Sequence, residues 1–221
     1  GIGTIMLGFM ALMTGMDLMS SSMSFLKSEA WFADLMISFT NPILGILFGA
    51  VLTAIIQSSS ASVGILQALA STGQVTFGAA IPIIMGQNIG TCVTAMLSSV
   101  GTNRNARRTA LVHLSFNVVG TVVWLSVFQV VKLLVALPVL DTGIDQLGIA
   151  VVHSMFNIAC TALLLPMTGL LEKLACRLVP DAKAPEHQTE LDERLLVTPA
   201  VALERSRALS VTMADVAVRA L

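Results

Sequence analysis

The sequence predicts an all-α, polytopic membrane protein with a re-entrant helical hairpin and a broken transmembrane helix, followed by the start of a cytoplasmic helical domain. Three observations predict it. Of 221 residues, 55% are hydrophobic and 11% charged, and the mean hydropathy is +0.86. A soluble domain of this length does not carry that balance. Charge is segregated: residues 1–171 hold ten Asp, Glu, Lys and Arg side chains, and residues 172–221 hold fifteen. Finally, Gln57-Ser58-Ser59-Ser60, with Thr53 and Ser62 beside it, interrupts an apolar stretch. Hydrocarbon tolerates such a cluster only where it is buried in protein or lines a wet cavity.

Residues 1–19 are apolar apart from Thr4, Thr14 and Asp17, and about 20 such residues span a bilayer. Asp17 is read as a solvated span end. Residues 20–40 mix Ser, Lys27, Glu29 and Asp34 with Trp31, Phe32 and Met36, which suits an amphipathic connector at the interface. Residues 41–56 and 61–72 are apolar arms, each shorter than the roughly 20 residues of a straight crossing. They predict a hairpin that enters, turns at 57–60 and returns to the same side. Gly45, Gly49, Ala50 and Ala54 in the first arm predict close helix packing.

Residues 75–100 are long enough to span. The polar, glycine-rich stretch Gly86-Gln87-Asn88-Ile89-Gly90-Thr91 predicts a break in that span. A basic loop follows at 101–108, with Arg104, Arg107 and Arg108. Residues 109–132 span again, 133–146 form a loop with Pro138, Asp141 and Asp145, and 147–170 form the last span. The loop arginines, with Lys173 and Arg177, mark one cytoplasmic face. The hairpin then opens from the external face and the tail is cytoplasmic. In the tail, Thr198-Pro199 predicts an N-cap and first helical position, and Leu209, Met213 and Val216 recur at helical spacing. The resulting division is a membrane domain over 1–172 and a cytoplasmic linker with a truncated helical domain over 173–221. The chain starts at Gly1 inside an apolar run and stops at Leu221 inside a helical pattern. No signal peptide or lipidation motif is visible, and the sequence reads as a fragment of a longer protein.

The hairpin tip carries the chemistry. Were the second arm helical, Ser58, Ser59 and Ser60 would sit at its N-terminus, where unpaired N–H groups and the helix dipole favour an anion. Serine hydroxyls add donors that rotate to suit a tetrahedral oxyanion, and Gln57 offers a donor and an acceptor. From residue 35 to residue 100 there is no Lys, Arg, Asp, Glu or His. A bound anion must therefore be offset by dipoles, hydroxyls and a co-bound cation. Sodium suits the oxygens of Gln57, Ser60, Gln87, Asn88 and Thr91, with carbonyls freed at the helix break. Opposed half-helices around a midplane solute are a recurring transporter device. A serine triplet alone is often only interhelical hydrogen bonding. The short arms and the second polar stretch favour a solute site.

His113-Leu-Ser-Phe116-Asn117 and His153-Ser-Met-Phe156-Asn157 repeat the pattern His-x-x-Phe-Asn. His113, Asn117, His153 and Asn157 are read first as interhelical hydrogen-bonding groups and second as support for the site. Cys92, Cys160 and Cys176 have neither disulfide nor metal-site spacing, so no transition metal and no cofactor beyond sodium is expected. A net charge of −1 gives a nucleic-acid partner no electrostatic support. An enzyme is not expected: there is no Gly-x-Ser-x-Gly elbow and no phosphate-cradling Gly-rich loop with Lys.

The Gln57-Ser58-Ser59-Ser60-Ala61 run, the 86–91 stretch and Ala106-Arg107-Arg108-Thr109-Ala110-Leu111-Val112-His113-Leu114-Ser115-Phe116-Asn117, in that order, resemble the type II sodium/phosphate cotransporter family. Bacterial members with a PhoU-like cytoplasmic domain resemble it most. The resemblance covers roughly 1–170 and implies one of two inverted repeats, the C-terminal one, whose hairpin tip meets that of the other repeat. It implies phosphate and sodium contacts at Gln57, Ser58, Ser59 and Ser60, with Asn88 and Thr91 supporting. It also implies the partners: inorganic phosphate, sodium ions, the lipid bilayer, and an N-terminal repeat of the same protein or a second copy. The expected function is sodium-coupled phosphate symport across the plasma (inner) membrane by alternating access. The alternatives are a phosphate-sensing membrane protein acting through a PhoU-like tail, and a structural bundle without solute.

Overall fold

Small residues one helical turn apart decide how this chain packs. The computed structural model of the protein describes residues 1–180 and 199–219. Helix α3 (Pro42–Ile56) lies along α5 (Phe77–Ser98), the most extensive helix contact among the described residues. Gly45 faces Pro82, Gly49 faces Ile83, Gly86 faces Ile46 and Gly90 faces Ala50, so the two helices run in the same direction. A Cβ on Gly49, Gly86 or Gly90 would overlap a carbonyl oxygen of the opposing helix. The glycines permit the backbone approach that small residues give membrane helices.

Against this pair pack α4 (Ser59–Ala70), α6 (Arg104–Leu134) and α7 (Gln146–Leu164), and α1 (Ile2–Met23) packs on α4. Helix α2 (Ala30–Ser38) is a short connector that meets α3 at a bend of 108°. Helix α8 (Thr168–Leu178) continues from α7 past a 3-10 turn at Leu165–Met167. Among the described residues, four segments are long and apolar enough to cross a membrane: Ile2–Ser28, Phe77–Ser98, Arg104–Leu134 and Gln146–Leu178. The chain is an all-α, multi-pass membrane protein. Among the described residues the only β pairing is the single bridge between Thr76 and Gly143.

Contacts at the helix ends establish the topology. At one end, Gln74 Nε2 donates to the Lys27 carbonyl at 3.1 Å, Gln67 Nε2 to the Gln146 carbonyl at 3.1 Å, and Ile144 N–H to the Val75 carbonyl at 2.9 Å. The end of α1, the mouth of the hairpin, the start of α5 and the start of α7 therefore share one end. At the opposite end, Arg108 Nε donates to the Val179 carbonyl at 2.9 Å, which joins the start of α6 to the end of α8. The hairpin thus opens away from the arginine-rich end. The core lies between them: Leu66, Val75, Ala79, Ala80, Ile83, Ile84 and Ile149 are at most 1% exposed.

Several boundaries differ from the sequence expectation. The span expected to break at 86–91 is continuous as α5, despite Pro82 inside it. Its glycines serve packing against α3 rather than a helix break. Two of its polar side chains fold back on the helix: Asn88 Nδ2 donates to the Ile84 carbonyl at 2.9 Å and Thr91 Oγ1 to the Gln87 carbonyl at 2.9 Å. No carbonyls are freed there for a cation. Arg104, Arg107 and Arg108 open helix α6 rather than occupy a loop, because Asn103 Oδ1 accepts from Ala106 N–H at 2.9 Å and caps the helix. Helix α7 ends at Leu164, just before Pro166, and the last apolar segment continues through α8 to Leu178, past the expected end at residue 170.

The chain divides into two compact units, Gly1–Val179 and Pro180–Leu221. Helix α8 belongs to the first and runs across the expected domain boundary at 172/173. Within the second, α9 (Pro199–Arg219) begins at Pro199. Thr198, expected as its N-cap, lies outside the described residues.

Candidate functional site

The hairpin reverses at one residue. Gln57 has φ 55° and ψ 25°, and is the only non-glycine residue with positive φ among the described residues. A left-handed residue stops a helix where glycine is the usual choice. Its N–H donates to the Thr53 carbonyl at 2.7 Å and so completes the last turn of α3. Ser58 is extended and caps α4, its Oγ accepting from Ala61 N–H at 3.3 Å. The N–H groups of Ser59 and Ser60 then belong to the first turn of a helix, which leaves them without intrahelical partners. The Ser59 and Ser60 hydroxyls make no hydrogen bond among the described residues, and Gln57, Ser58, Ser59 and Ser60 are all exposed. The tip presents hydroxyls, an amide and the positive end of α4's dipole.

One turn behind the tip, the hairpin's neck is closed by hydroxyls. Thr53 Oγ1 and Ser62 Oγ lie 2.7 Å apart, and both residues are 0% exposed. Gln87, 1% exposed, reaches across from α5. Its Nε2 donates to the Ser62 carbonyl at 2.9 Å and to Ser62 Oγ at 2.9 Å. Its Oε1 is buried without a hydrogen-bond partner. Asn88 is 9% exposed and Thr91 half-buried. Both lie on α5 and both use their donors on α5's own carbonyls. The structure therefore joins Thr53, Ser62 and Gln87 into one buried knot under the exposed 57–60 tip. The tie between Ser62 and Gln87 has no signature in the sequence. It arises from α5 packing beside both hairpin arms.

The His-x-x-Phe-Asn repeats do something simpler. Asn117 Nδ2 donates to the His113 carbonyl at 3.0 Å, and Asn157 Nδ2 to the His153 carbonyl at 2.8 Å. Each asparagine satisfies backbone one turn back, not the imidazole. Asn117 also approaches Cys92 Sγ at 3.3 Å, which makes Cys92 part of the α5–α6 contact as well as a small apolar residue. No hydrogen bond among the described residues joins His113, Asn117, His153 or Asn157 to the tip. No group of three His, Cys, Asp or Glu side chains among the described residues is placed to hold a metal ion.

A family profile described as "Na+/Pi-cotransporter" matches residues 11–149. The chain belongs to the Na+/Pi-cotransporter family. The match takes in the whole hairpin and its α5 neighbour, while His153 and Asn157 lie beyond it. Among relatives, the chain is 36% identical to the uncharacterized protein YqeW of Bacillus subtilis over 142 residues, 61% of this chain and 43% of that protein. It is 36% identical to sodium-dependent phosphate transport protein 2B of Pongo abelii over 165 residues, 70% of this chain and 23% of that protein. It is 37% identical to sodium-dependent phosphate transport protein 2A of Rattus norvegicus over 139 residues, 58% and 21%. The chain thus spans less than half of the first relative and less than a quarter of the other two. No solved structure matches it.

Proposed function

We propose that this chain supplies one hairpin of a sodium-coupled inorganic phosphate transporter of the plasma (inner) membrane, a secondary symporter working by alternating access. The observation that carries this reading is the exposed, uncharged tip at Gln57, Ser58, Ser59 and Ser60. A phosphate there meets first-turn N–H groups and a helix dipole, with hydroxyl donors around it. It meets no side-chain cation from its own segment, since residues 35–103 contain none. A multiply charged oxyanion held by dipoles alone is incompletely neutralised, so a co-bound sodium ion supplies the remainder. Gln57, Ser60, Asn88 and Thr91 offer side-chain oxygens for it, and Gln87 Oε1 is a buried acceptor lacking any donor. This thermodynamic linkage makes each ion raise the other's affinity. The open tip also fits a second, facing hairpin, from an N-terminal repeat or a second copy, as the other wall of the site. In this reading the tail is cytoplasmic and the arginine-rich end faces the same side.

A second reading is a phosphate-sensing membrane protein that signals through a PhoU-like tail. The separate compact unit at Pro180–Leu221 favours keeping it. Binding and flux discriminate the two. In proteoliposomes an inward sodium gradient drives labelled phosphate uptake, choline replacement abolishes it, and Ser59→Ala lowers it at least tenfold. Sodium-dependent phosphate binding without uptake favours the sensor. Phosphate binding by Ser59→Ala equal to the parent's removes the tip from the site.

A further inference from the structure

Gln87 stands apart from the other polar residues of α5. Asn88 and Thr91 return their donors to their own helix. Gln87 sends both hydrogens of its amide to a single residue on another helix, Ser62, at 2.9 Å each. Ser62 is the residue that locks the hairpin's neck. Its hydroxyl pairs with Thr53 at 2.7 Å and its N–H donates to the Ser58 carbonyl at 3.0 Å. Thr53 in turn holds the left-handed Gln57 through its carbonyl at 2.7 Å. A continuous chain of contacts therefore runs from Gln87 through Ser62 and Thr53 to both sides of the tip. All three side chains are at most 1% exposed, so an unpaired polar group left there is costly.

We infer that Gln87 is a positioning residue: it acts on the 57–60 tip through the neck, without reaching the tip itself. The inference rests on the reading that the tip binds phosphate. Glycines on either side of Gln87 sharpen the argument. At Gly86 and Gly90 the α3 backbone presses directly on α5, so the origin of the Gln87 side chain is fixed relative to α3. Its amide then sets how far α4 stands from that pair. The same amide turns its oxygen away from Ser62, and that buried oxygen has no donor. A group that fills it, a water molecule or a small cation, bears on the neck through the nitrogen of the same planar amide. Gln87 is thereby placed to tell the tip whether the α5 position is occupied.

The test uses the purified chain in lipid nanodiscs and amide hydrogen exchange over the neck, where the Gln57, Ala61 and Ser62 N–H groups are hydrogen-bonded. Gln87→Met conserves volume and removes both donors. It raises exchange across 57–62 at least tenfold in sodium-free buffer and leaves the α6–α7 contact protected. Ser62→Ala, a milder change, raises it as well. The double variant is no worse than the stronger single, the non-additivity expected of groups acting in series. Phosphate binding separates positioning from general damage: the dissociation constant rises about tenfold while the number of sites per chain stays the same. Neck exchange in Gln87→Met equal to the parent's overturns the inference. Fully additive effects of Gln87→Met and Ser62→Ala overturn it too. A parent chain that binds no phosphate sinks the phosphate reading instead, and exchange in sodium-free buffer alone then decides the role of Gln87 at the neck.

Discussion

Gly86→Leu is expected to prevent the membrane unit from folding. A single methyl at this position already overlaps the Ile46 carbonyl oxygen and crowds the Ile46 backbone. Backbone cannot rotate aside as a side chain can, so relief requires α3 and α5 to separate. Overpacking ordinarily costs about 1–3 kcal/mol. Separating the two helices also strips Gly49 and Gly90 of their contacts and pulls Gln87 from Ser62. The loss should therefore exceed about 4 kcal/mol, the range reserved for a few specific mechanisms. Gly86→Ala should lower the thermal midpoint strongly and Gly86→Leu should yield no monodisperse protein. The internal control is Gly8 on α1, where a Cβ meets nothing within 4 Å. Gly8→Ala should be neutral or gain up to about 1 kcal/mol from helix propensity. Equal midpoints for Gly8→Ala and Gly86→Ala would remove the α3–α5 seam as the organising contact.

That seam explains which parts of the fold were legible in the sequence. Hydropathy and charge segregation reveal spans, because lipid imposes one requirement on every lipid-facing residue. The short arms around Gln57-Ser58-Ser59-Ser60 reveal a reversal for the same reason: neither arm is long enough to cross. Glycines are ambiguous. Gly86 and Gly90 beside Gln87 and Asn88 read as a helix break, yet they mark a close approach, and the helix runs through them. The sequence signal for "no Cβ here" is identical in the two cases, and only the identity of the neighbour decides. Arg104, Arg107 and Arg108 read as a loop because charge in a membrane protein suggests one, yet they open α6. Asn103, two residues after Gly101, was the available cue to a capped helix start. At the site, the tip was legible as local composition, whereas the Ser62–Gln87 tie was not. It joins residues 25 apart in sequence through a packing geometry that no local pattern encodes.

Gln57 allows stability and function to be driven in opposite directions. Its φ of 55° places an L side chain in the left-handed region, at a cost of roughly 1–2 kcal/mol. Glycine removes that cost, offset in part by the greater freedom of the unfolded chain. Gln57→Gly should therefore unfold at or above the parent's midpoint. Valine is β-branched and disfavours the same conformation strongly. Gln57→Val should lie about 2 kcal/mol or more below the glycine variant, read as a difference in thermal midpoint. Neither substitution carries an amide, so both should lose phosphate binding and sodium-driven uptake to the same extent, at least tenfold. A residue kept only to turn the chain would show the reverse pattern, with the glycine variant fully active. Parent-like phosphate affinity in Gln57→Gly would therefore place the side chain outside the site. Its loss in a protein at least as stable as the parent would mark the strained glutamine as retained for binding, with the strain offset by the surrounding hairpin.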